Sequence, residues 1–279
     1  MVSSRRLLMV DGDTGVHELL SGLLQRDEWE IDGVFEGREA LERLRGAPYD
    51  LVVAGEGRNG LGGLKLLRRI QAIRPGTKVI LTGEPNPSDV LAAFRARAYS
   101  YFHKPLPAGP VSDMVHQATR SSSWQDDIKV LSGRPEWVTL EARCKMETVD
   151  RATQLVRELE ADLPHCDCED VAAAFRELLM NAIEHGGKSD ARKRVRISLL
   201  RTSRSLIVHM RDPGKGFSLE RIHHAAVCNP EDSPTRHAEI RAEQGQRPGG
   251  FGILMASKLV DELLYNERGN EVVFVKNFT

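Results

Sequence analysis

The sequence predicts two domains of different fold class: a doubly wound parallel α/β sheet over residues 1–120 and an α+β two-layer sandwich over residues 136–279. Three observations carry this. Short apolar runs alternate with amphipathic stretches through the first 120 residues, as a parallel sheet with helices on both faces requires. That rhythm stops at Ser121-Ser122-Ser123. Beyond it, two helical patterns are followed by neighbouring strands and no longer alternate with them. A length of 279 residues suits two domains, at roughly 100–200 residues each.

The elements of the first half can be taken in order. Leu7-Leu8-Met9-Val10, Leu51-Val52-Val53 and Val79-Ile80-Leu81 are apolar runs suited to strands buried on both faces, and Tyr99–Phe102 is an aromatic fourth. Leu66, Leu67, Ile70 and Ile73 repeat at helical spacing, as do Leu91, Ala92 and Phe94 after the turn-rich Glu84-Pro85-Asn86-Pro87. A helix is expected at 108–120 and a linker at 121–135, including Ser132-Gly133-Arg134-Pro135. In the second half Trp137–Lys145 alternates like a strand, and 147–162 and 169–185 read as helices. Val195–Leu200 and Leu206–Arg211 are strands around a hairpin-like Thr202-Ser203-Arg204. A long polar stretch, 218–248, precedes a helix at 252–262 and a last strand at Glu271–Val275.

Composition excludes several classes. With 39 basic and 40 acidic residues there is no general pull toward nucleic acid or an anionic membrane. No apolar run approaches the ~20 residues that cross a bilayer, and Leu7–Val10 is too short for a signal-peptide core, so the cytoplasm is the expected location. Cys144, Cys166, Cys168 and Cys228 are few and scattered, as free thiols in a reducing compartment are. His165-Cys166-Asp167-Cys168 lacks a second cluster to complete four metal ligands and reads as a polar inter-helix loop.

Val10-Asp11-Gly12-Asp13, Asp50–Gly55, Leu81-Thr82-Gly83 and Phe102-His103-Lys104-Pro105 stand in the order of the receiver domains of two-component response regulators, and residues 1–120 resemble that family along their whole length. The resemblance implies a flavodoxin-like sheet with its site at the carboxyl ends of the strands. It also implies carboxylates for Mg²⁺ after the first strand, an acceptor aspartate ending the third, and a Ser/Thr and a Lys that contact the phosphoryl group. Here Gly55 stands at the acceptor position and Gly12 replaces one of the acidic pair, while Asp11, Asp13, Thr82, Tyr101 and Lys104 remain. The reading is a pseudo-receiver kept for packing and protein contacts. Glu56 would point to the other face of an extended strand. Asp11 and Asp13 fit either turn chemistry after a strand or a vestigial cation site.

Three segments of the second half bear chemistry. In Phe175–Gly186 an apolar stripe leaves Glu177, Asn181 and His185 at i, i+4 and i+8 on one polar face, which on its own suits a solvated surface. Asparagine offers a hard carbonyl ligand for Mg²⁺, and a carboxylate one turn away could take a proton from an attacking hydroxyl. Asp212-Pro213-Gly214-Lys215-Gly216 follows a strand. It suits a tight turn, or a backbone that approaches a flat ring beside a carboxylate able to accept from an exocyclic amine. Arg247-Pro248-Gly249-Gly250-Phe251-Gly252 is a glycine-rich loop opening a helix, suited to phosphate, with Arg247 able to pair with a terminal phosphate.

Together these segments resemble the N, G1 and G2 boxes of the GHKL (Bergerat-fold) ATPases over about residues 137–279, most closely the anti-sigma-factor serine kinases. The resemblance implies that Asn181 holds Mg²⁺, Asp212 binds adenine, and Gly214 and Gly216 shape the base pocket. It further implies that Gly249, Gly250 and Gly252 cradle phosphates of ATP and that Glu177 is the general base. The expected activity is phosphorylation of a serine or threonine on an anti-sigma-factor antagonist. An ATP-gated module that sequesters a sigma factor is the rival reading, and a phosphorylation-driven regulator is disfavoured by Gly55. A sensor histidine kinase is rejected, because His116 lacks an acidic neighbour and the linker is too short for two long helices. The lid-like stretch 218–248, with His223, His224 and Cys228, reads as a mobile polar loop or a partner-specific lid. The receiver half is expected to dock a partner or to pair protomers.

Overall fold

The computed structural model describes residues 5–24, 29–58, 60–120, 124–216, 243 and 251–278. The chain divides into two units, Met1–Asp126 and Asp127–Thr279. In the first, β1 (Arg5–Val10), β2 (Trp29–Val34), β3 (Leu51–Ala54), β4 (Lys78–Gly83) and β5 (Ser100–His103) form a wholly parallel sheet in the order β2-β1-β3-β4-β5. Between them run α1 (Thr14–Leu23), α2 (Gly37–Gly46), α3 (Gly63–Ile73) and α4 (Pro87–Arg95), and α5 (Ala108–Arg120) follows. Parallel strands need such crossovers, and covering both faces makes their sequences continuously apolar. Leu7, Met9, Leu51, Val53 and Ile80 share one core with α1 and α5. Alternation sends Leu8, Val52 and Val79 to the other face.

The strand order reverses beside β1, and in such sheets that switch point gathers functional groups at the strands' carboxyl ends. Helix starts there are set locally. The Asp13 carboxylate accepts from Gly15 N at 2.8 Å and caps α1, and Asn86 accepts from Ser88 N at 2.9 Å and caps α4 behind Pro87. Asp13 thus does the turn and cap chemistry that its place after a strand allows.

The second unit is an antiparallel sheet in the order β10-β11-β9-β8-β7-β6. Its strands are β6 (Ile128–Arg134), β7 (Trp137–Arg143), β8 (Arg194–Arg201), β9 (Ser205–Arg211), β10 (Glu262–Tyr265) and β11 (Glu271–Asn277). Helices α6 (Met146–Leu159), α7 (His165–Asn181) and α8 (Gly252–Leu259) complete the two layers, with α7 packed between the other two. Val138, Leu140, Ile197, Leu199, Val208, Met210 and Phe274 alternate inward and are buried, the pattern of a sheet with one covered face.

Three expectations are corrected. The linker expected at 121–135 holds β6, whose Ser132-Gly133-Arg134 pairs with β7 and leads into the Pro135-Glu136 turn. Trp124 still belongs to the first unit, stacked edge-on to Tyr99 with centroids 5.6 Å apart. His165–Cys168 is the first turn of α7 after Pro164, not a loop. The helix expected at 252–262 ends at Leu259, and Glu262–Tyr265 is a strand.

Arg201 at the end of β8 ties down the end of α6. It donates to Glu160 at 3.0 Å and to both carboxylate oxygens of Asp162, and lies over the Phe278 ring. Glu160 is 2% exposed, and burial pushes its carboxyl up to about 7 against the pull of Arg201. A raised folded-state value means that folding takes up a proton here. The stabilisation is full below the ordinary value of 4.5 and is lost as pH rises to about 7. Urea unfolding, read at the β8 and β9 amides by hydrogen exchange, should therefore weaken by up to about 3 kcal/mol between pH 4.5 and 7. Glu160→Gln should flatten that slope; an equal slope in the variant would contradict the assignment.

Candidate functional site

Residues Glu177 and Asn181 occupy the last two turns of α7, with Glu177 about one-fifth exposed. After Asn181 the helix widens into a π turn, Ala182–Gly186, closed by Gly187 N donating to Ala182 O at 2.8 Å. Such turns insert one residue into the helical register and are frequent at functional sites. His185 falls inside this turn and is exposed, so the regular helical face expected to carry Glu177, Asn181 and His185 is interrupted.

The π turn brings Gly186 against the loop after β9 and Gly187 against Cys144, just after β7. A methyl group at Gly186 would overlap the Asp212 carboxylate. One at Gly214 would lie 2.7 Å from Asp212 Oδ1 and 2.8 Å from Gly186 Cα. One at Gly187 would overlap Cys144 Sγ. Gly214 N donates to Asp212 Oδ1 at 2.6 Å. Burial raises the Asp212 carboxyl above its usual range, opposed by that Gly214 N–H and by Arg268. Buried Cys144 has its thiol pushed up to about 11 by burial, with Asp212 adding to the rise and Lys193 opposing it. Burial, then Asp212, also raises the Tyr265 hydroxyl.

A brace that sequence reasoning missed holds this loop. Gly216 has φ +83° and faces the Arg268 carbonyl so closely that only glycine fits. Asp212 N donates to Asn270 O at 3.0 Å, and Arg268 Nε donates to Lys215 O at 3.2 Å. Asn266 Oδ1 accepts from Asn270 N and Glu271 N, setting the β10–β11 turn. The legible signal was Asn266-Glu267-Arg268-Gly269-Asn270, a turn composition between two apolar runs.

The third segment meets the first. Gly252 opens α8 against α7, where a methyl group would stand 2.8 Å from Glu177 Oε2 and 3.4 Å from Asn181 Nδ2. The structure thus gathers Glu177 and Asn181 with Gly252, and Asp212 and Gly214 with Gly186, at the end of α7. Arg247, Gly249, Gly250 and nearly all of the stretch 218–248 lie outside the described residues. The donor set suits a magnesium nucleotide: a neutral amide carbonyl, a half-buried carboxylate, and the first-turn N–H groups of α8.

In the first unit the receiver-like residues also converge. Asp11 is 2% exposed, and Lys104 Nζ lies 2.9 and 2.8 Å from its two carboxylate oxygens. Thr82 Oγ1 and Asp13 N donate to the same carboxylate at 3.2 and 3.0 Å. A methyl group at Gly55 would overlap Asp11 Oδ2 and stand 2.5 Å from Thr82 Oγ1. Exposed Glu56 lies past the end of β3 and reaches the start of α3 at Gly63.

Residues 7–116 match the family model for the response regulator receiver domain, and residues 142–276 match that for the histidine kinase-like ATPase domain. The transcriptional regulatory protein ResD of Bacillus subtilis is 26% identical over 118 residues, covering 42% of this chain and 49% of ResD. The response regulator protein PilR of Pseudomonas aeruginosa is 28% identical over 120 residues, covering 43% and 27%. A CheY-like receiver domain from Methanospirillum hungatei superposes with a TM-score of 0.40 at 22% identity, covering 42% of this chain and 95% of that one. The chain spans about half or less of the length of these two curated relatives.

Gly186→Ala tests the convergence by sterics. With Asp212 fixed by Gly214 N and Asn270 O, the added methyl should cost about 1–3 kcal/mol in urea unfolding. An unchanged midpoint would mean that the two segments are not in contact.

Proposed function

From a chain that joins a response regulator receiver domain to a histidine kinase-like ATPase domain, we propose a signalling protein that binds Mg-ATP and phosphorylates a serine or threonine of a partner regulator of the anti-sigma-factor-antagonist type. The observation that carries the reading is the placement of Glu177 and Asn181 one helical turn apart, both against Gly252 at the start of α8. A partner hydroxyl presented there attacks the terminal phosphorus, its proton passes to Glu177, and ADP leaves. Asn181 offers its carbonyl to Mg²⁺, which when bound neutralises phosphate charge. The first amides of α8 face the phosphates. Asp212 accepts from the exocyclic amine of adenine, and the Gly186–Gly214 contact leaves its flank free of side chains. The receiver has no acceptor at Gly55, which disfavours control by phosphoryl transfer to itself.

The decisive experiment captures partners in the presence of Mg-ATP and maps phosphosites on what is captured. Label on a partner serine or threonine is expected, and Glu177→Ala should lower transfer by about 10²–10⁴-fold while changing ATP affinity by less than about twofold. Capture without any label would overturn the kinase reading in favour of an ATP-gated binder.

Affinity should also follow pH in a defined direction. Protonating Asp212 removes an acceptor, and its carboxyl titrates above the usual aspartate range. Calorimetric ATP affinity should therefore fall on acidification sooner than an ordinary aspartate would make it. Asp212→Asn should weaken binding at least about tenfold at neutral pH; undiminished binding by this variant would contradict the adenine role.

A further inference from the structure

We infer that the receiver is latched: Asp11 fills the volume that a side chain at position 55 would need, and its carboxylate ties the carboxyl ends of β1, β4 and β5 into one permanent arrangement that Mg²⁺ and phosphoryl donors do not switch. This concerns the first unit alone and does not rest on the nucleotide reading.

The first ground is mutual exclusion. Any Cβ on residue 55 would run into Asp11 Oδ2 and lie 2.9 Å from its Cγ and 2.5 Å from Thr82 Oγ1. The carboxylate in this place and a longer residue 55 cannot both be present unless the Asp11 and Thr82 side chains move. The second ground is saturation. Asp11 receives Lys104 on both oxygens, Thr82 on one and Asp13 N on the other. A buried charge so fully paired is held firmly, because removing one partner leaves the other uncompensated. These bonds join the ends of β1, β4 and β5, and Lys104 N also donates to Gly83 O at 2.8 Å.

A second layer closes the remaining strand ends over the first. Gly12 N donates to Glu56 O at 2.8 Å, and Arg58 N to Phe35 O at 3.0 Å, linking β1 to the loop after β3 and that loop to the end of β2. Arg58 carries its guanidinium 4.2 Å from the Phe35 ring centroid and donates to Gly12 O at 3.4 Å. Phe35 in turn packs on His17 at 4.8 Å, and His17 Nε2 lies 2.9 Å from Asp11 O. All five strand ends are therefore bound into one self-satisfied network with a fixed cation, Arg58, beside the position of the lost acid, Gly12.

Hydrogen exchange on the full chain tests the latch. In the wild-type protein, Mg²⁺ with beryllofluoride should leave exchange unchanged at the ends of β1, β4 and β5. Asp11→Ala should speed exchange at all three ends together by about tenfold or more. Lys104→Gln, which leaves the buried Asp11 carboxylate without its cation, should speed exchange at the same three ends. A wild-type response to Mg²⁺ and beryllofluoride at β4 or β5 would overturn the latch. So would an Asp11→Ala effect confined to the start of α1.

Discussion

The second unit depends on glycines where a neighbouring segment comes closer than a side chain would allow. Gly186 lies against Gly214 and Asp212, and Gly252 against Glu177 and Asn181. A methyl group at Gly186 or Gly214 would push apart segments that are far apart in the chain, and one at Gly252 would displace the Glu177 carboxylate. Proteins are packed too densely for such a methyl to be absorbed without movement. Three glycines thus set how near the end of α7 can approach the loop after β9 and the start of α8. That nearness gathers one amide, two carboxylates and a helix start at the end of α7.

The π turn is the complementary device. A regular helix would continue past Asn181 with its own register. The wider turn closes a ring from Ala182 to Gly187, and Gly186 then reaches Asp212 while Gly187 seats on Cys144. The β10–β11 turn completes the frame from the other side, through the carbonyls of Arg268 and Asn270. The Asp212 loop is therefore held by both neighbours, and its carboxylate is half-buried before any ligand arrives. Pre-organisation of this kind lowers the cost of ordering a site on binding. The receiver uses glycine in the opposite sense. At Gly55 the missing side chain is replaced by Asp11, which closes the pocket.

Much of this was legible in the sequence, and what was not has a common cause. Buried parallel strands such as Leu7–Val10 and Leu51–Val53 announce themselves by continuous apolarity. The strands not foreseen are β2, β6 and β10, and each lies at the edge of its sheet. Edge strands keep charged and polar residues to block further pairing. Trp29-Glu30-Ile31-Asp32-Gly33-Val34 and Ile128–Arg134 therefore look like loops. The three converging segments drew attention in the sequence because Asp212, Gly214, Gly216 and Gly252 carry composition that needs a reason. The π turn and the Cys144 contact were not, because both are decided by tertiary packing. Asp11 was recognised as part of a receiver site, yet its move into the space above Gly55 depends on geometry that no spacing encodes.

The most direct test of the account is hydrogen exchange of the full chain with and without Mg-ATP. The account predicts that amides at 186–187, 212–216 and 252–255 gain protection together and saturate at one nucleotide concentration, since one ligand touches all three. Protection confined to a single segment, or appearing at separate concentrations, would contradict a shared site.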